Sequence, residues 1–167
     1  METLLYESCK QMGVLLEQYQ LEQFLNYQNL LLQWNEKMNL TAITEKRDII
    51  LKHFADCVSI VSEISFEKDV SVIDVGTGAG FPGIPLKIAF PQLEIVLMDS
   101  LNKRVMFLQD VISELSLTKI SALHGRAEEI ARKPQFREQF DICVSRAVAN
   151  LSTLSEYCIP FVKQGGM

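Results

Sequence analysis

The spacing of apolar positions changes near residue 70. Over the first 65 residues or so, Leu, Met, Phe and Cys recur every three or four positions, which is the spacing of amphipathic helices. Two such stretches run to about Trp34 and end before "NEKMNLTAIT". A third follows, with Thr44 as its expected N-cap and apolar residues from Ile49 to Val61. The pattern predicts an N-terminal helical subdomain over residues 1–65.

After residue 66, short β-type runs alternate with helical patterns. The runs "VSVIDV", "EIVLMD", "KISALHG" and "FDICVSR" are separated by "PGIPLKIAF", "KRVMFLQDVISEL" and "AEEIAR", and "LSTLSEYCIPFV" follows the last. Strands separated in this way form a parallel sheet with right-handed crossovers. We therefore predict a Rossmann-like, doubly wound α/β domain of four strands over residues 66–167. The closing "KQGGM" indicates a turn toward a fifth strand, so we expect the sheet to be incomplete at its C-terminal end.

The composition is that of a globular chain. It has 167 residues, 48% of them hydrophobic, with a mean hydropathy of +0.12, which suffices for a buried core. No apolar run reaches the length of a membrane span, and no basic flank precedes an apolar N-terminal segment, so we expect a cytoplasmic protein without a membrane partner. Four scattered Cys and two His, His53 and His124, predict reduced thiols and no metal site.

The charge is unevenly distributed along the chain. The formal net charge is −5; residues 1–69 carry six Lys or Arg against eleven Asp or Glu, whereas residues 70–167 carry ten of each. This balance excludes a basic surface over the whole protein. A polyanion would have to meet a local patch in the second part, where the candidate cations are Lys103, Arg104, Arg126, Arg132, Lys133, Arg137 and Arg146.

The segment "VSVIDVGTGAGFPG" joins the first predicted strand to the first predicted α/β helix, and it fits two cofactor motifs. Gly78, Gly80 and Gly83 satisfy GxGxxG, the dinucleotide fingerprint, which would indicate an NAD-linked dehydrogenase. From Asp74 the same stretch is D-x-G-x-G-x-G, with Gly76, Gly78 and Gly80 in the turn. A carboxylate at Asp74 would repel a pyrophosphate, but it suits the ammonium and sulfonium of S-adenosylmethionine. Asp74 therefore favours S-adenosylmethionine.

Two further places at the ends of strands are candidates for adenosine binding. Asp99 ends the second predicted strand, where a carboxylate can accept ribose hydroxyls or cap the following helix. Ala127 and Glu128 follow the third strand, where a backbone N–H can meet the adenine edge. The acidic first turn of a helix explains Glu128 equally well.

Five segments in order, "NLTAIT", "DVGTGAGFPGIPL", "MDSLNKRVMFL", "GRAEE" and "FDICVSRAVANL", carry a resemblance to a known family. From about Asn39 to Gly166 the chain resembles the glucose-inhibited division protein B family, which are bacterial 16S rRNA (guanine-N7) methyltransferases. The resemblance implies a class I methyltransferase fold with S-adenosylmethionine as cofactor. It also implies a guanine of 16S rRNA, in the small ribosomal subunit, as the methyl acceptor.

The resemblance assigns roles to particular residues. Gly76 and Phe81 would line the cofactor, Ala127 and Glu128 would contact its adenosyl part, and Arg146 of "SRA" would lie by the methionine end or the RNA. Guanine N7 has a free lone pair, so methyl transfer needs no general base, and Arg146 is expected to orient the acceptor or stabilise charge. The family's sheet continues beyond the C-terminal end of this chain. A cofactor-binding or RNA-binding module without turnover is therefore the remaining alternative.

His53 lies among the apolar positions of the third predicted helix. That setting favours a buried, hydrogen-bonded histidine. The resemblance adds a role for His53 in docking the helical subdomain against the active face.

Overall fold

A computed structural model describes residues 1–66, 70–146 and 148–167, and it confirms a helical N-terminal part followed by an α/β part. The N-terminal part has α1 (Glu2–Gln11), α2 (Gln18–Met38) and α3 (Lys46–Ile49), which continues through a π-helical stretch (Ile50–Ala55) into α4 (Asp56–Val58) and a 3-10 turn (Ser59–Ser62). The α/β part has β1 (Ser71–Val75), α5 (Gly83–Ala89), β2 (Glu94–Asp99), α6 (Asn102–Glu114), β3 (Ile120–His124), α7 (Ala127–Ile130), β4 (Ile142–Val144), α8 (Leu151–Cys158) and a 3-10 turn (Ile159–Phe161). Within the described ranges no helix is long and apolar enough to cross a membrane.

The four strands form one parallel sheet in the order β3-β2-β1-β4. Since all strands run the same way, their carboxyl ends meet at one edge. The chain moves outward from β1 to β2 and β3 and then returns to the other side of β1, which makes β1 and β4 the switch point of the sheet. Open α/β sheets bind ligands at that edge, outside the switch point.

Side chains of β1 alternate between the two faces of the sheet. Val72 packs in the core shared with α2, α5 and α6, whereas Ile73 and Val75 pack in a second cluster with residues of α7 and the turn after α8. A strand directs every second side chain to the same face. The alternation therefore directs Asp74 toward α5 and the N-terminal helices.

The N-terminal helices share a core with the sheet. Leu5, Phe24 and Leu31 belong to the same buried cluster as Val72 and Phe107. The predicted boundary at residue 65 stays a prediction, because this continuous core crosses it.

Polar contacts add to that core. The Gln20 side-chain amide donates to the carbonyls of Ile88 (2.6 Å) and Ala89 (3.1 Å), at the end of α5, and Gln23 donates to the carbonyl of Leu115 (3.0 Å), at the end of α6. Helix ends leave carbonyls without helical partners, so α2 caps two helices of the α/β part.

Two helix boundaries differ from the sequence prediction. The helix predicted to end near Trp34 extends to Met38, and Asn39 ends it in the left-handed region with φ of 49°. The expectation that Thr44 caps the third helix is wrong, because the N-cap is Glu45 and it makes no side-chain capping hydrogen bond.

The last residues turn back beside β4. Phe140 and Val162 form a parallel bridge, the Met167 N–H donates to the carbonyl of Asp141 (2.9 Å), and the Cys143 N–H donates to the carbonyl of Met167 (2.8 Å). This is the hydrogen-bond pattern of a parallel neighbour. Met167 thus lies beside β4 in the position of a parallel neighbour, and the fifth strand stays a prediction.

Candidate active site

The glycine loop after β1 lies tight against β2 and against the segment that follows β4. Gly76, Gly78 and Gly80 have φ of 69°, 62° and 95°, in the region that L side chains rarely adopt. The N–H groups of Gly76 and Thr77 donate to the carbonyl of Met98, at 2.8 and 3.0 Å. A Cβ on Gly76 would lie 2.5 Å from Cγ2 of Val148. The loop therefore has no room for a side chain at Gly76.

Asp74 supports this loop from beneath. Its side chain is fully buried, and Oδ2 accepts hydrogen bonds from the Thr77 hydroxyl (2.6 Å) and the Gly83 N–H (2.8 Å). Oδ1 is also buried and has no partner among the described residues. Burial raises the pKa of Asp74 to about 7, against the opposing effect of the two hydrogen bonds. Asp74 is therefore a buried acid that titrates near neutrality.

Asp99 connects the glycine loop to the second crossover. Its Oδ2 accepts from the Gly78 N–H (2.9 Å) and lies 3.5 Å from Nη1 of Arg104, while Oδ1 accepts from the Leu101 N–H (2.9 Å). The N-cap of α6 is Leu101, so Asp99 bonds the cap residue itself and does not take the cap position. A carboxylate oxygen accepts two hydrogen bonds, so Oδ1 retains acceptor capacity.

A cavity of about 260 Å³ opens at the carboxyl ends of β1, β2 and β3. Four of the residues predicted from the sequence line it: Gly76, Asp99, Ala127 and Glu128. Ala127 and Glu128 are the first residues of α7, where N–H groups lack helical carbonyls. The cavity thus combines a carboxylate, backbone donors and a glycine that allows close approach.

The structure does not bring Asp74, Gly80, Phe81 or Arg146 into the lining of this cavity. Gly78 contributes through its N–H to Asp99. Phe81 was expected to line the cofactor, but its ring is buried 4.4 Å from that of His53 and 5.7 Å from that of Tyr27. The reason is that a phenyl ring gains more from packing among aromatic rings than from a half-polar cleft. Gly80 also faces the protein interior, since a Cβ at this position would lie 2.5 Å from Cδ1 of the buried Ile84.

Arg146 lies at a second cavity, of about 300 Å³, at the carboxyl end of β4. Its Nη1 donates to Oδ2 of Asp56 (2.9 Å), and its Nη2 donates to Nδ1 of His53 (2.9 Å). The guanidinium carbon lies 5.0 Å from the centre of the Phe81 ring. Arg146 therefore contacts the N-terminal helices, and Ala147, which follows it in the "SRAV" motif, is outside the described residues.

His53 is the buried member of this group, with 9% of its surface exposed. Burial, followed by the charge of Arg146, lowers the pKa of His53 to about 4, although Asp56 acts in the opposite direction. The imidazole is therefore neutral at physiological pH. A buried, hydrogen-bonded histidine at the contact between the helices and β4 matches the sequence expectation.

Sequence reasoning missed several residues of the two cavities. Ser100 follows β2, so its position at a strand end was a usable signal for lining the first cavity, whereas Arg126, which also lines it, was predicted only as a cation for a polyanion. Tyr157 reaches that cavity from α8, and no local pattern indicates it. Asp56 and Arg146 are 90 residues apart in the chain, so their ion pair is a product of the tertiary fold.

The loop geometry discriminates between the two cofactor motifs. The N–H of Gly78 is used by Asp99, and the N–H of Gly83, at the start of α5, is used by Asp74. A dinucleotide needs such N–H groups for its pyrophosphate, and it would meet a buried acid behind them. The dehydrogenase alternative is therefore not favoured.

Two solved methyltransferase structures share this fold. A protein-L-isoaspartate O-methyltransferase superimposes with a TM-score of 0.61 at 12% identity, covering 99% of this chain and 53% of that one. A SAM-dependent methyltransferase from Aquifex aeolicus superimposes with a TM-score of 0.51 at 21% identity, covering 69% and 62%. The fold is that of the class I S-adenosylmethionine-dependent methyltransferases.

Sequence comparison identifies the family within that class. The family model described as rRNA small subunit methyltransferase G matches residues 20–167. A ribosomal RNA small subunit methyltransferase G from Lachnoclostridium phytofermentans is 56% identical over 160 residues, covering 96% of this chain and 66% of the relative. One from Acetivibrio thermocellus is 54% identical over 163 residues, covering 98% and 67%. The chain belongs to the rRNA small subunit methyltransferase G family, as the resemblance implied, and it spans about two thirds of the length of these curated relatives.

Proposed function

We propose that this protein transfers the methyl group of S-adenosylmethionine to N7 of a guanine in 16S rRNA, within the small ribosomal subunit and in the cytoplasm. The observation that carries the proposal is the arrangement of two adjacent cavities at the carboxyl edge of the sheet. One is bounded by Asp99 and the glycine loop, and the other holds a fixed arginine. Membership of the family supports the choice of rRNA as the acceptor.

The residues of the first cavity fit S-adenosylmethionine. Oδ1 of Asp99 retains a lone pair for a ribose hydroxyl, and the first N–H groups of α7 suit an adenine edge. Gly76 lets the ligand approach the backbone closely. In its ionised form the Asp74 carboxylate, which lies outside the lining of this cavity, adds negative charge beneath the loop and favours a cationic ligand. When bound, the cofactor supplies an electrophilic methyl group on a sulfonium.

The protein's part in the reaction is to position the acceptor. Guanine N7 has a lone pair at neutral pH, so no side chain has to remove a proton before the transfer. Arg146 orients the acceptor beside the cofactor cavity, and Asp56 offsets its charge as the methylated base becomes cationic. Among the candidate RNA-contacting cations, Lys103, Arg126, Arg132, Lys133 and Arg137 are exposed, whereas Arg104 and Arg146 are held by carboxylates.

The activity is tested directly with ribosomal subunits. The chain is incubated with S-adenosylmethionine and small ribosomal subunits from cells that lack this modification, and the digested RNA is analysed for 7-methylguanosine by mass spectrometry. We expect the modified nucleoside to appear. If it does not appear while the Lachnoclostridium relative forms it under the same conditions, the chain is a binding module and the proposed activity is refuted.

Cofactor choice gives a separate expected result. By calorimetry, the chain should bind S-adenosylhomocysteine with micromolar affinity and should not bind NADH, because the loop N–H groups that a pyrophosphate needs are used by Asp74 and Asp99. Binding of NADH in preference to S-adenosylhomocysteine would reinstate the dehydrogenase alternative.

The glycine loop offers a matched pair of variants. Gly76→Ala and Gly78→Ala share the cost of a positive φ, on the order of 1 kcal/mol. Only the Cβ at position 76 meets another residue, since nothing lies within 4 Å of a Cβ at position 78. We expect Gly76→Ala to bind S-adenosylhomocysteine at least about tenfold more weakly than Gly78→Ala, measured by the same calorimetry. Equal affinities would show that the contact with Val148 does not shape the cavity.

A further inference from the structure

Resting on the proposed function, we propose that His53 is a positioning residue that fixes the plane of the Arg146 guanidinium at the acceptor cavity. It does so by presenting an unprotonated Nδ1, a state that Thr41, in the segment after α2, stabilises by accepting the hydrogen bond from Nε2. In this proposal the contact between the N-terminal helices and the end of β4 serves to position Arg146.

The tautomer of His53 follows from its two partners. A guanidinium has only donors, so Nδ1 of His53 must accept the hydrogen bond from Nη2 of Arg146. In a neutral imidazole the proton is then on Nε2, which donates to the Thr41 hydroxyl oxygen at 2.9 Å. That oxygen also accepts from the Ile43 N–H at 3.0 Å, so both of its lone pairs are used. Thr41 therefore acts as an acceptor toward His53.

Thr41 is itself held in place by α2. Its N–H donates to the side-chain oxygen of Asn35 at 2.8 Å, just before the left-handed Asn39 ends that helix. A continuous chain of hydrogen bonds thus runs from Asn35 through Thr41 and His53 to Arg146. Removing a link would change the orientation of the next one.

His53 and Arg146 lie over the same aromatic ring. The imidazole stacks on Phe81 with an interplanar angle of 20° and centroids 4.4 Å apart, and the guanidinium carbon lies 5.0 Å from the same centroid. Because the two groups are hydrogen-bonded at 2.9 Å, they lie edge to edge on one face of Phe81. The ring below and the bond beside it define the plane of the guanidinium.

Asp56 alone would hold Arg146 weakly. Its side chain is 56% exposed and that of Arg146 is 30% exposed, and ion pairs in such surroundings contribute little because water screens them. His53 supplies a part-buried hydrogen bond to the other terminal nitrogen, so the guanidinium is restrained on two sides. Its position at the cavity formed with Pro82 and Ser145 is then specific.

Two isosteric replacements separate positioning from packing. In His53→Asn the amide oxygen takes the place of Nδ1 and can still accept from Arg146, whereas in His53→Gln the amide lies at the place of Nε2 and reaches only Thr41. We expect kcat to fall by about 10²-fold in His53→Gln and by less than about fivefold in His53→Asn, as is typical when a catalytic group is displaced by about 1 Å. Affinity for S-adenosylhomocysteine should stay unchanged in both, because His53 and Arg146 are outside the lining of the cofactor cavity. Equal losses of kcat in the two variants would overturn the proposal.

Nitrogen NMR tests the same arrangement without activity. We expect unprotonated Nδ1 and protonated Nε2 in the parent and in Thr41→Ser, and loss of this single tautomer in Thr41→Val, which lacks the oxygen. A protonated Nδ1 in the parent would overturn the role of His53. If the parent transfers no methyl group, the proposed function fails, and the positioning role is then judged from rotation of the Arg146 guanidinium. Slow rotation in the parent and His53→Asn, with fast rotation in His53→Gln, supports it, and equal rates in the three overturn it.

Discussion

Replacing Gly83 with alanine should lower the free energy of unfolding by about 3 kcal/mol, the upper part of the usual range for overpacking a core. A Cβ at this position would lie 2.2 Å from Cδ2 of Leu97, 2.9 Å from Oδ2 of Asp74 and 3.3 Å from its Cβ. Leu97 and Asp74 are both fully buried, so neither can move aside freely. The start of α5 would have to move away from the sheet.

That movement would also break a hydrogen bond. The Gly83 N–H is one of only two donors to the Asp74 carboxylate among the described residues, the other being the Thr77 hydroxyl. A buried carboxylate that loses a donor becomes more costly to keep ionised. The steric and electrostatic effects of the substitution therefore act in the same direction.

Chemical denaturation followed by the fluorescence of Trp34, the single tryptophan, measures the effect. Gly13→Ala is the control for a glycine replaced without a steric contact, since nothing lies within 4 Å of a Cβ there; its φ of 81° adds a backbone cost that Gly83, which has no positive φ, does not carry. The free energy of unfolding of this control should fall only by the cost of placing an alanine at a positive φ, on the order of 1 kcal/mol. If Gly83→Ala is as stable as Gly13→Ala, the close approach of α5 to β1 and β2 is not a requirement of the fold.

The sequence was sufficient to predict the sheet because the signals for its strands and turns lie within short stretches of the chain. Strand and helix periods, the glycine turn and the strand-end positions of Asp99, Ala127 and Glu128 are all set within a few residues along the chain. These features lie where they were predicted. Helix ends were less predictable, since the continuation of α2 to Met38 depends on packing against α6, where Trp34 donates to Asp110 at 2.9 Å.

The orientation of two loop side chains could not be predicted from motif position. Alternation along β1 places Asp74 on the face of Val72, but it does not say which face the ligand uses. Phe81 was expected at the cofactor because it belongs to the glycine loop, yet a cluster of aromatic residues from α2 and the π-helical stretch buries it. The partners of Arg146 come from segments about 90 residues away, which no local pattern identifies.

Asp74 should make the stability of the protein depend on pH. Its pKa is about 7 in the folded protein against an ordinary value of 3.8, with burial as the main cause. The folded state therefore binds a proton more tightly than the unfolded chain. The stability that this proton contributes is fully present below about pH 4 and is lost as the pH rises through 7. The shift corresponds to as much as about 4 kcal/mol, at 1.36 kcal/mol for each pKa unit.

Asp74→Asn separates this group from the others that titrate. An asparagine oxygen can accept from Thr77 and Gly83 as Oδ2 does, and its amide takes the place of the protonated Oδ1 without titrating. Unfolding free energies of parent and variant are measured at about pH 5 and about pH 8, and the difference between the two proteins cancels the contribution of groups such as His53 that both share. Between about pH 5 and about pH 8, we expect the unfolding free energy of the parent to fall by about 3 kcal/mol more than that of Asp74→Asn. A difference that does not vary with pH would mean that Asp74 is ionised throughout.

The same titration should appear in ligand binding. If the proposed cofactor lies above Asp74, its ammonium stabilises the ionised carboxylate, so binding of S-adenosylhomocysteine is coupled to release of the Asp74 proton. The affinity of the parent should then increase as the pH rises toward 7 and level off above it, whereas the affinity of Asp74→Asn should not show this increase. Calorimetry in buffers of different ionisation enthalpy counts the released proton directly. Proton release by the parent and not by the variant would assign the coupling to Asp74, and equal release by both would exclude it.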